Sequence, residues 1–373
     1  DMTNKCNLRC NYCLRNLEQE ENCISTEKLR DIGKFITTYC DEYKIANISV
    51  QAWGGEPLLE KNKIIALTKF ITPQKTKVHY SIETNATLLT NDVIEELYKN
   101  HIGIGISIDG DRKCHDLQRT FVSGKGSYDT VKKNLLQAQR YYKNKIGTIT
   151  TITKQTAVHI EKIIEHLVLD LHISNIKLNF VHASTYTHGQ NQCLNTQEIA
   201  DTELRILYKI IELQERGYDV MEHNIFIKLK NLLFREYADI CLSCGCCGGK
   251  KMIVFDMDGN IYPCELTDDA SFVIGSIYKK ESLIEQIKMT IDKDKAFFKM
   301  KKAVECEKCY WKFFCRGGCT VRALSEKRQM EVIDIDHIEC AINQVLYPAL
   351  MELVLRKPHI VNQMLGEDLL VDE

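Results

Sequence analysis

The chain has 373 residues, 44% of them hydrophobic, and a formal net charge of -2, which is enough apolar material for one large domain and a smaller one. That near-neutral balance, without a basic block, argues against a nucleic-acid partner or an anionic membrane surface, and no apolar run approaches the ~18 residues that a membrane span requires. Seventeen cysteines, with no secretory signal at the start of the sequence, point to a reducing, cytoplasmic setting and to metal ligation rather than disulfides.

The sequence opens at Asp1-Met2-Thr3 and reaches Cys6, Cys10 and Cys13 almost at once, with C-x3-C-x2-C spacing. A [4Fe–4S] cluster ordinarily takes four thiolates, so three on one short loop leave one iron without a protein ligand. A loop of buried or zinc-bound thiols has the same spacing and stays open as a reading. From about residue 45 to 181, β-rich runs alternate with amphipathic helical patterns. The strand candidates are Ile48–Trp53, Val78–Ile82, Ile102–Ile108, Ile146–Ile152 and Ile176–Val181. Helices are marked by Ile64, Leu67 and Ile71; by Val93, Ile94 and Leu97, with Thr90 or Asn91 as N-cap; by Val131 and Leu135; and by Ile160, Ile163, Ile164 and Leu167. Repeated βα units predict an α/β fold with a parallel sheet, partly or fully closed into a barrel. The strand that should precede Cys6 is almost missing, so the first strand reads as truncated.

Barrels of this kind place chemistry at the carboxyl ends of their strands. Glu56, Asn85, Ser107 with Asp109, Thr151 and His182 fall at or just after the successive candidate ends. Residues 183–240 read as a helical linker built around Ile199, Leu204, Leu207, Ile210 and Ile211, and residues 241–373 as a cysteine-rich region. Within the latter, Met252–Asp256 and Asn260–Pro263 flank Asp258-Gly259 as a β-hairpin. Lys293–Lys302 mixes charges around two phenylalanines and reads as the solvated face of a helix. Cys23, Cys40, Cys114 and Cys193 stand apart from both cysteine zones and are expected as small residues in or near the core.

Four segments besides the cysteine loop carry a resemblance: Trp53-Gly54-Gly55-Glu56-Pro57, Glu83-Thr84-Asn85-Ala86-Thr87-Leu88-Leu89, Ile106-Ser107-Ile108-Asp109-Gly110, and His115-Asp116 with Arg119. Singly, each also fits a turn or a cap. In this order they resemble the radical S-adenosylmethionine (SAM) superfamily, with Tyr12 at the usual aromatic position and Ala86 where relatives carry glycine. The resemblance implies a partial (β/α)6 TIM-like barrel over residues 1–182. It implies a cluster on Cys6, Cys10 and Cys13 whose open iron is chelated by SAM. Tyr12, Gly54, Gly55, Glu56, Asn85, Ser107 and Arg119 become the candidate SAM contacts. Reductive cleavage of SAM then yields a 5′-deoxyadenosyl radical that abstracts hydrogen from substrate.

Downstream, eleven residues separate Cys247 from Gly259 and four separate Gly259 from Cys264, before Cys306-x2-Cys309-x5-Cys315-x3-Cys319 and Cys340. This resembles the seven-cysteine SPASM extension of radical SAM enzymes, and implies two auxiliary iron–sulfur clusters. One takes Cys306, Cys309, Cys315 and Cys340. The other takes Cys264, Cys319 and two of Cys241, Cys244, Cys246 and Cys247, with Cys244 and Cys247 favoured. Paired C-x2-C spacings also suit zinc ribbons. SPASM proteins mostly modify peptides or proteins and draw electrons from a carrier such as flavodoxin or ferredoxin. The leading expectation is a maturase that forges a thioether or carbon–carbon crosslink in a ribosomally made peptide. The alternative is an anaerobic sulfatase maturase forming formylglycine. A non-catalytic iron–sulfur electron-transfer or scaffold protein is the reading from another class. Glu83, Asp109, Asp116 and His182 are substrate-side candidates by position alone.

Overall fold

The computed structural model describes residues 1–15, 21–143, 145–181, 192–235, 241, 245–267, 270–292, 304–325 and 335–366. Its strands are β1 (Leu8–Cys10), β2 (Asn47–Ala52), β3 (Lys77–Thr84), β4 (Ile102–Ser107), β5 (Arg119–Phe121), β6 (Gly147–Ile152), β7 (Asn175–Phe180), β8 (Met221–Glu222), β9 (Val254–Phe255), β10 (Asn260–Tyr262) and β11 (Gly275–Ser276). Six of them form a parallel sheet in the order β2-β3-β4-β6-β7-β8. Each of the five β-rich runs in the sequence is a strand of that sheet. Alternation explains why: Ile102, Ile104 and Ile106 of β4 are buried while Gly103, Gly105 and Ser107 are half-buried, the period-2 pattern of a pleated strand. The sixth strand, β8, has two residues and carries no such pattern.

Two compact units make up the chain, each discontinuous in sequence: residues 1–108, 115–148 and 252–293, then residues 109–114, 149–251 and 294–373. In the first, β2 pairs with β3 and β3 with β4, all in parallel register. The connecting helices start where the sequence offers caps. Ser25 accepts from the Lys28 N–H (3.1 Å) at the head of Thr26–Glu42. Thr90 stands at the N-cap of Asn91–Lys99, yet its hydroxyl turns to the Asp92 carboxylate and makes no side-chain cap bond. The expected hairpin is present as β9 and β10, which pair antiparallel, and β11 adds a third strand. Its loop is closed by Asp256, whose carboxylate accepts from the Asp258 and Asn260 N–H groups (2.8 Å each), while Gly259 takes the left-handed φ of +84°. Of the scattered cysteines, Cys40 and Cys114 are buried and Cys23 and Cys193 are half-buried. The expectation for Lys293–Lys302 lies outside the described residues.

The second unit is centred on two helices, Thr196–Glu215 and His337–Arg356, which pack together. The first begins in a capping box between Asn195 and Glu198 and buries Ile199, Ile206, Leu207 and Ile210. The second buries Ile342, Leu346, Tyr347 and Leu350. Its length and composition alone would let it cross a membrane, which corrects the expectation that no stretch comes near that limit. In the fold, however, it carries Glu339, which pairs with the buried Lys228 ammonium, and Asn343, which accepts from the same ammonium at 2.7 Å.

Near this pair, Glu203 of the Thr196–Glu215 helix is 4% exposed. Burial pushes its carboxyl up to about 8, the Glu222 and Glu339 charges add to this, and Lys228 opposes it. A folded value above the unfolded one means that the native state holds this proton more tightly than the open chain. The contribution is complete below the unfolded value and is lost as pH rises through about 8. Glu203→Gln should therefore flatten stability between pH 5.5 and 8.5 and exceed the parent at the upper pH by on the order of 3 kcal/mol, read from urea unfolding at the two pH values.

Candidate active site and metal centres

The cysteine loop is held by backbone on two sides. On one, Met2–Lys5 runs beside Trp53–Glu56: the Met2 N–H donates to the Trp53 carbonyl (2.7 Å), the Gly55 N–H to Thr3 (2.8 Å) and the Glu56 N–H to Lys5 (2.7 Å). Where the sequence shows almost no strand before Cys6, these three bonds supply the pairing. They are also the reason for both glycines. A Cβ on Gly54 would lie 2.2 Å from the Thr3 carbonyl oxygen, and one on Gly55 2.1 Å from that of Lys5. Gly54 additionally has a φ of +144°. The close approach that this glycine pair permits is by the cysteine loop itself.

On the other side, β1 pairs antiparallel with β5, placing Cys10 opposite Arg119. The Asn11 N–H continues the contact to the Gln118 carbonyl (3.0 Å). Arg119 is buried, with its guanidinium carbon 5.3 Å from the centroid of the Tyr12 ring, a cation–π distance. His115 and Asp116 brace this strand. His115 Nε2 meets the Ser127 hydroxyl (2.9 Å), which donates to the Arg119 carbonyl (2.7 Å). Asp116 accepts from the Tyr128 N–H (2.8 Å), and a Cβ on Gly126 would overlap its carboxylate at 2.3 Å.

Cys6, Cys10 and Cys13 are all half-buried. The Cys6 sulfur accepts from the Leu8 N–H (3.4 Å) and the Asn85 amide (3.8 Å). Burial pushes the Cys6 thiol up to about 11, with the Glu56 and Cys13 charges adding to the rise and the two hydrogen bonds opposing it. Such a thiol keeps its proton until a metal displaces it. Asn85 also donates to Asn7 Oδ1 (2.9 Å) and accepts from the Thr87 hydroxyl (2.7 Å), tying the end of β3 to the loop. Ala86, in the place of the usual glycine, keeps the left-handed turn at φ +59°. Asn134 donates to its carbonyl (2.8 Å), an anchoring role that no motif announces.

Glu56 is 1% exposed. Its carboxylate accepts from the Thr84 hydroxyl (2.7 Å), the Asn85 N–H (2.8 Å) and the Leu58 N–H (3.0 Å). Burial raises its pKa, whereas these three bonds and the nearby Arg119 lower it. A carboxylate has about four acceptor sites, so one stays available. The indole Nε1 of Trp53 is buried without a hydrogen-bond partner among the described residues. The loop is thus flanked by one spare acceptor and one orphaned donor, unfilled capacity that suits a polar, amine- and carboxylate-bearing ligand. Ser107 is half-buried at the end of β4, and Glu83 is half-buried in β3. Asp109 is fully buried and accepts from the Thr151 N–H (2.9 Å), so its carboxylate is tied to strand β6. His182 lies outside the described residues.

In the first unit, Cys264 is buried and its thiol donates to Glu265 (3.4 Å). In the second, Cys247 is buried, while Cys241, Cys246 and Cys319 are half-buried. Cys244 lies outside the described residues. The Cys319 N–H donates to Asp336 (2.7 Å), whose carboxylate also receives the Arg322 fork (2.6 and 3.0 Å) and caps the His337–Arg356 helix. A cavity of ≈ 450 Å³, counting the solvent in its mouth, is lined by Cys306, Cys309, Cys315 and Cys340 together with Trp311 and Asn343. Four thiols, three from residues 306–315 and one from the His337–Arg356 helix, stand around one space. Among the described residues, no three Cys, His, Asp or Glu side chains converge on a single-ion site. A ring around a space suits a cluster whose four irons each take one thiolate.

Residues 1–167 match the Radical SAM superfamily. This part of the chain is a radical SAM domain. It uses SAM and a [4Fe–4S] cluster, and the protein is an enzyme. Beyond the radical SAM domain, similarity extends along the chain. A cysteine-type anaerobic sulfatase-maturating enzyme of Clostridium novyi (strain NT) is 26% identical over 327 residues, covering 85% of each protein. The radical SAM cyclopropyl synthase TigE of Paramaledivibacter caminithermalis is 23% identical over 373 aligned positions, which cover 94% of this chain and 73% of TigE. The solved structure of native anSMEcpe with bound AdoMet and Cp18Cys peptide superposes with a TM-score of 0.81 at 21% identity, over 95% of this chain and 97% of that one. The last likeness is one of fold.

The glycine geometry yields a direct test. Gly55→Ala should push the Lys5 carbonyl aside and lower SAM cleavage about a hundredfold or more, with loss of the iron bound at the amino-terminal loop. Gly103→Ala, whose Cβ would stand in ordinary contact 3.6 Å from the Tyr80 carbonyl oxygen, should keep both. Iron content and 5′-deoxyadenosine yield after anaerobic reconstitution measure the difference.

Proposed function

We propose that this protein is a radical SAM maturase that takes a hydrogen atom from one residue of a peptide or protein substrate. Cys6, Cys10 and Cys13 would hold the radical SAM cluster. Cys306, Cys309, Cys315 and Cys340 would hold an auxiliary cluster in the cavity. By the resemblance of spacing, Cys264, Cys319, Cys244 and Cys247 would serve another. Glu56 and Trp53 offer the open acceptor and donor beside the loop for SAM. When bound, these groups supply the 5′-deoxyadenosyl radical and a one-electron acceptor for the oxidised substrate. The four-thiol cavity is the observation that carries the reading, because a radical SAM domain alone does not call for it.

Of the two finer readings, conversion of a cysteine or serine to formylglycine has more support than crosslinking of a ribosomally made peptide. The sulfatase-maturating relative aligns over 85% of both proteins. TigE, by its name a cyclopropyl synthase and so a maker of carbon–carbon bonds, keeps the crosslinking class as the second reading. The electron source would be a flavodoxin- or ferredoxin-type carrier, with no nucleic acid or membrane involved and a cytoplasmic site of action.

Anaerobic, reconstituted enzyme given dithionite and SAM should form 5′-deoxyadenosine. With a cysteine-containing sulfatase peptide, it should also form an aldehyde captured by a hydrazide reagent. Loss of two hydrogens from a cysteine-rich precursor peptide, without aldehyde, would decide for crosslinking. Deoxyadenosine with neither product would exclude both substrates, and absence of deoxyadenosine would leave an iron–sulfur module without catalysis.

A further inference from the structure

Two neighbouring amides on the His337–Arg356 helix face the four-thiol cavity: Asn343 and Gln344 both line it. Gln344, one helical turn beyond Cys340 on the same helix, donates from Nε2 to the Cys309 sulfur (3.6 Å). Asn343 lines the cavity wall together with Cys315. The orientation of Asn343 is imposed by charge. Lys228 Nζ donates to its Oδ1 (2.7 Å), while its Nδ2 donates to Glu339 Oε1 (3.1 Å). A flipped amide would set its NH2 against an ammonium and its carbonyl against a carboxylate. Lys228 and Glu339 are both nearly solvent-free and paired with each other, so the amide is fixed by a rigid ion pair. Gln344, by contrast, is exposed and depends on no such support.

We propose that Asn343 and Gln344 are positioning residues that set the reduction potential of an iron–sulfur cluster bound by Cys306, Cys309, Cys315 and Cys340. The inference rests on reading the cavity as a cluster site. Taking up an electron makes the sulfur ligands more negative, and an N–H aimed at sulfur stabilises that state. Cys309 receives such a donor from Gln344, and the Asn343 amide stands in the same cavity wall. The Lys228–Glu339 pair acts through Asn343 by fixing which way its amide is turned.

The test is redox potentiometry of the full, anaerobically reconstituted chain, followed by electron paramagnetic resonance, with Cys315→Ala identifying the signal that belongs to the cavity. Gln344→Met should make reduction of that cluster about tenfold less favourable, or about 59 mV for a one-electron couple. Gln344→Lys should shift the potential the opposite way. Asn343→Asp, which keeps the contact with Lys228 and loses the N–H, should lower it. The radical SAM cluster should keep its potential in all three. Unmoved cavity potentials in the two Gln344 variants, with parental iron content, would overturn the inference. If Cys306→Ala and Cys315→Ala together leave the iron count at the parent value, the reading of the cavity as a cluster site fails instead.

Discussion

Everything assigned to the amino-terminal site depends on one backbone contact: the ladder between Met2–Lys5 and Trp53–Glu56. Three hydrogen bonds of this kind contribute only about 0.5–1.5 kcal/mol each in net terms. Their value is geometric. They bring the chain so near Gly54 and Gly55 that no Cβ fits between, and this fixes where the C-x3-C-x2-C loop starts. The antiparallel pairing of β1 with β5 fixes where it ends. Between these two clamps, the loop presents three half-buried thiols.

The same economy of parts recurs around the loop. Glu56 anchors the end of β3 through Thr84 and Asn85, and Asn85 reaches back to Cys6. Arg119 stacks on Tyr12 and sits opposite Cys10, while His115 and Ser127 hold its backbone. The polar residues of these motifs are therefore bound to each other as much as they are available to a ligand. In the second unit, a buried ion pair between Lys228 and Glu339 performs the corresponding task for the cavity, fixing the amide of Asn343 in its wall. Breaking such a buried pair leaves an uncompensated charge, so these positions tolerate little change.

Much of this was legible in the sequence where period and motif carry the information. Five strands and their helices follow from period-2 and 3–4 patterns, and the four cysteines that the SPASM resemblance groups together are the ones that line the cavity. What escaped has physical reasons. The two residues of β8 are too few to show a period. The ladder at Met2–Lys5 is made by backbone atoms, which leave no mark except the two glycines opposite them. Asn134, which fixes the left-handed Ala86, belongs to no motif. The His337–Arg356 helix reads as interrupted by Glu339 and Glu352, although Glu339 is neutralised by Lys228 from a segment more than a hundred residues away. Asp109, Asp116 and His115, placed at strand ends and turns, find their partners within the fold.

The central claim is that the clamped loop leaves one iron free for the amino and carboxylate groups of SAM. Electron-nuclear double resonance on the reduced, anaerobic enzyme with SAM labelled by ¹⁵N at the amino group and ¹³C at the carboxylate tests this most directly. Hyperfine coupling of both labels to the cluster spin is the predicted result, abolished by Cys10→Ala. A fully loaded cluster that couples to neither label, or zinc in place of iron at Cys6, Cys10 and Cys13, would contradict it.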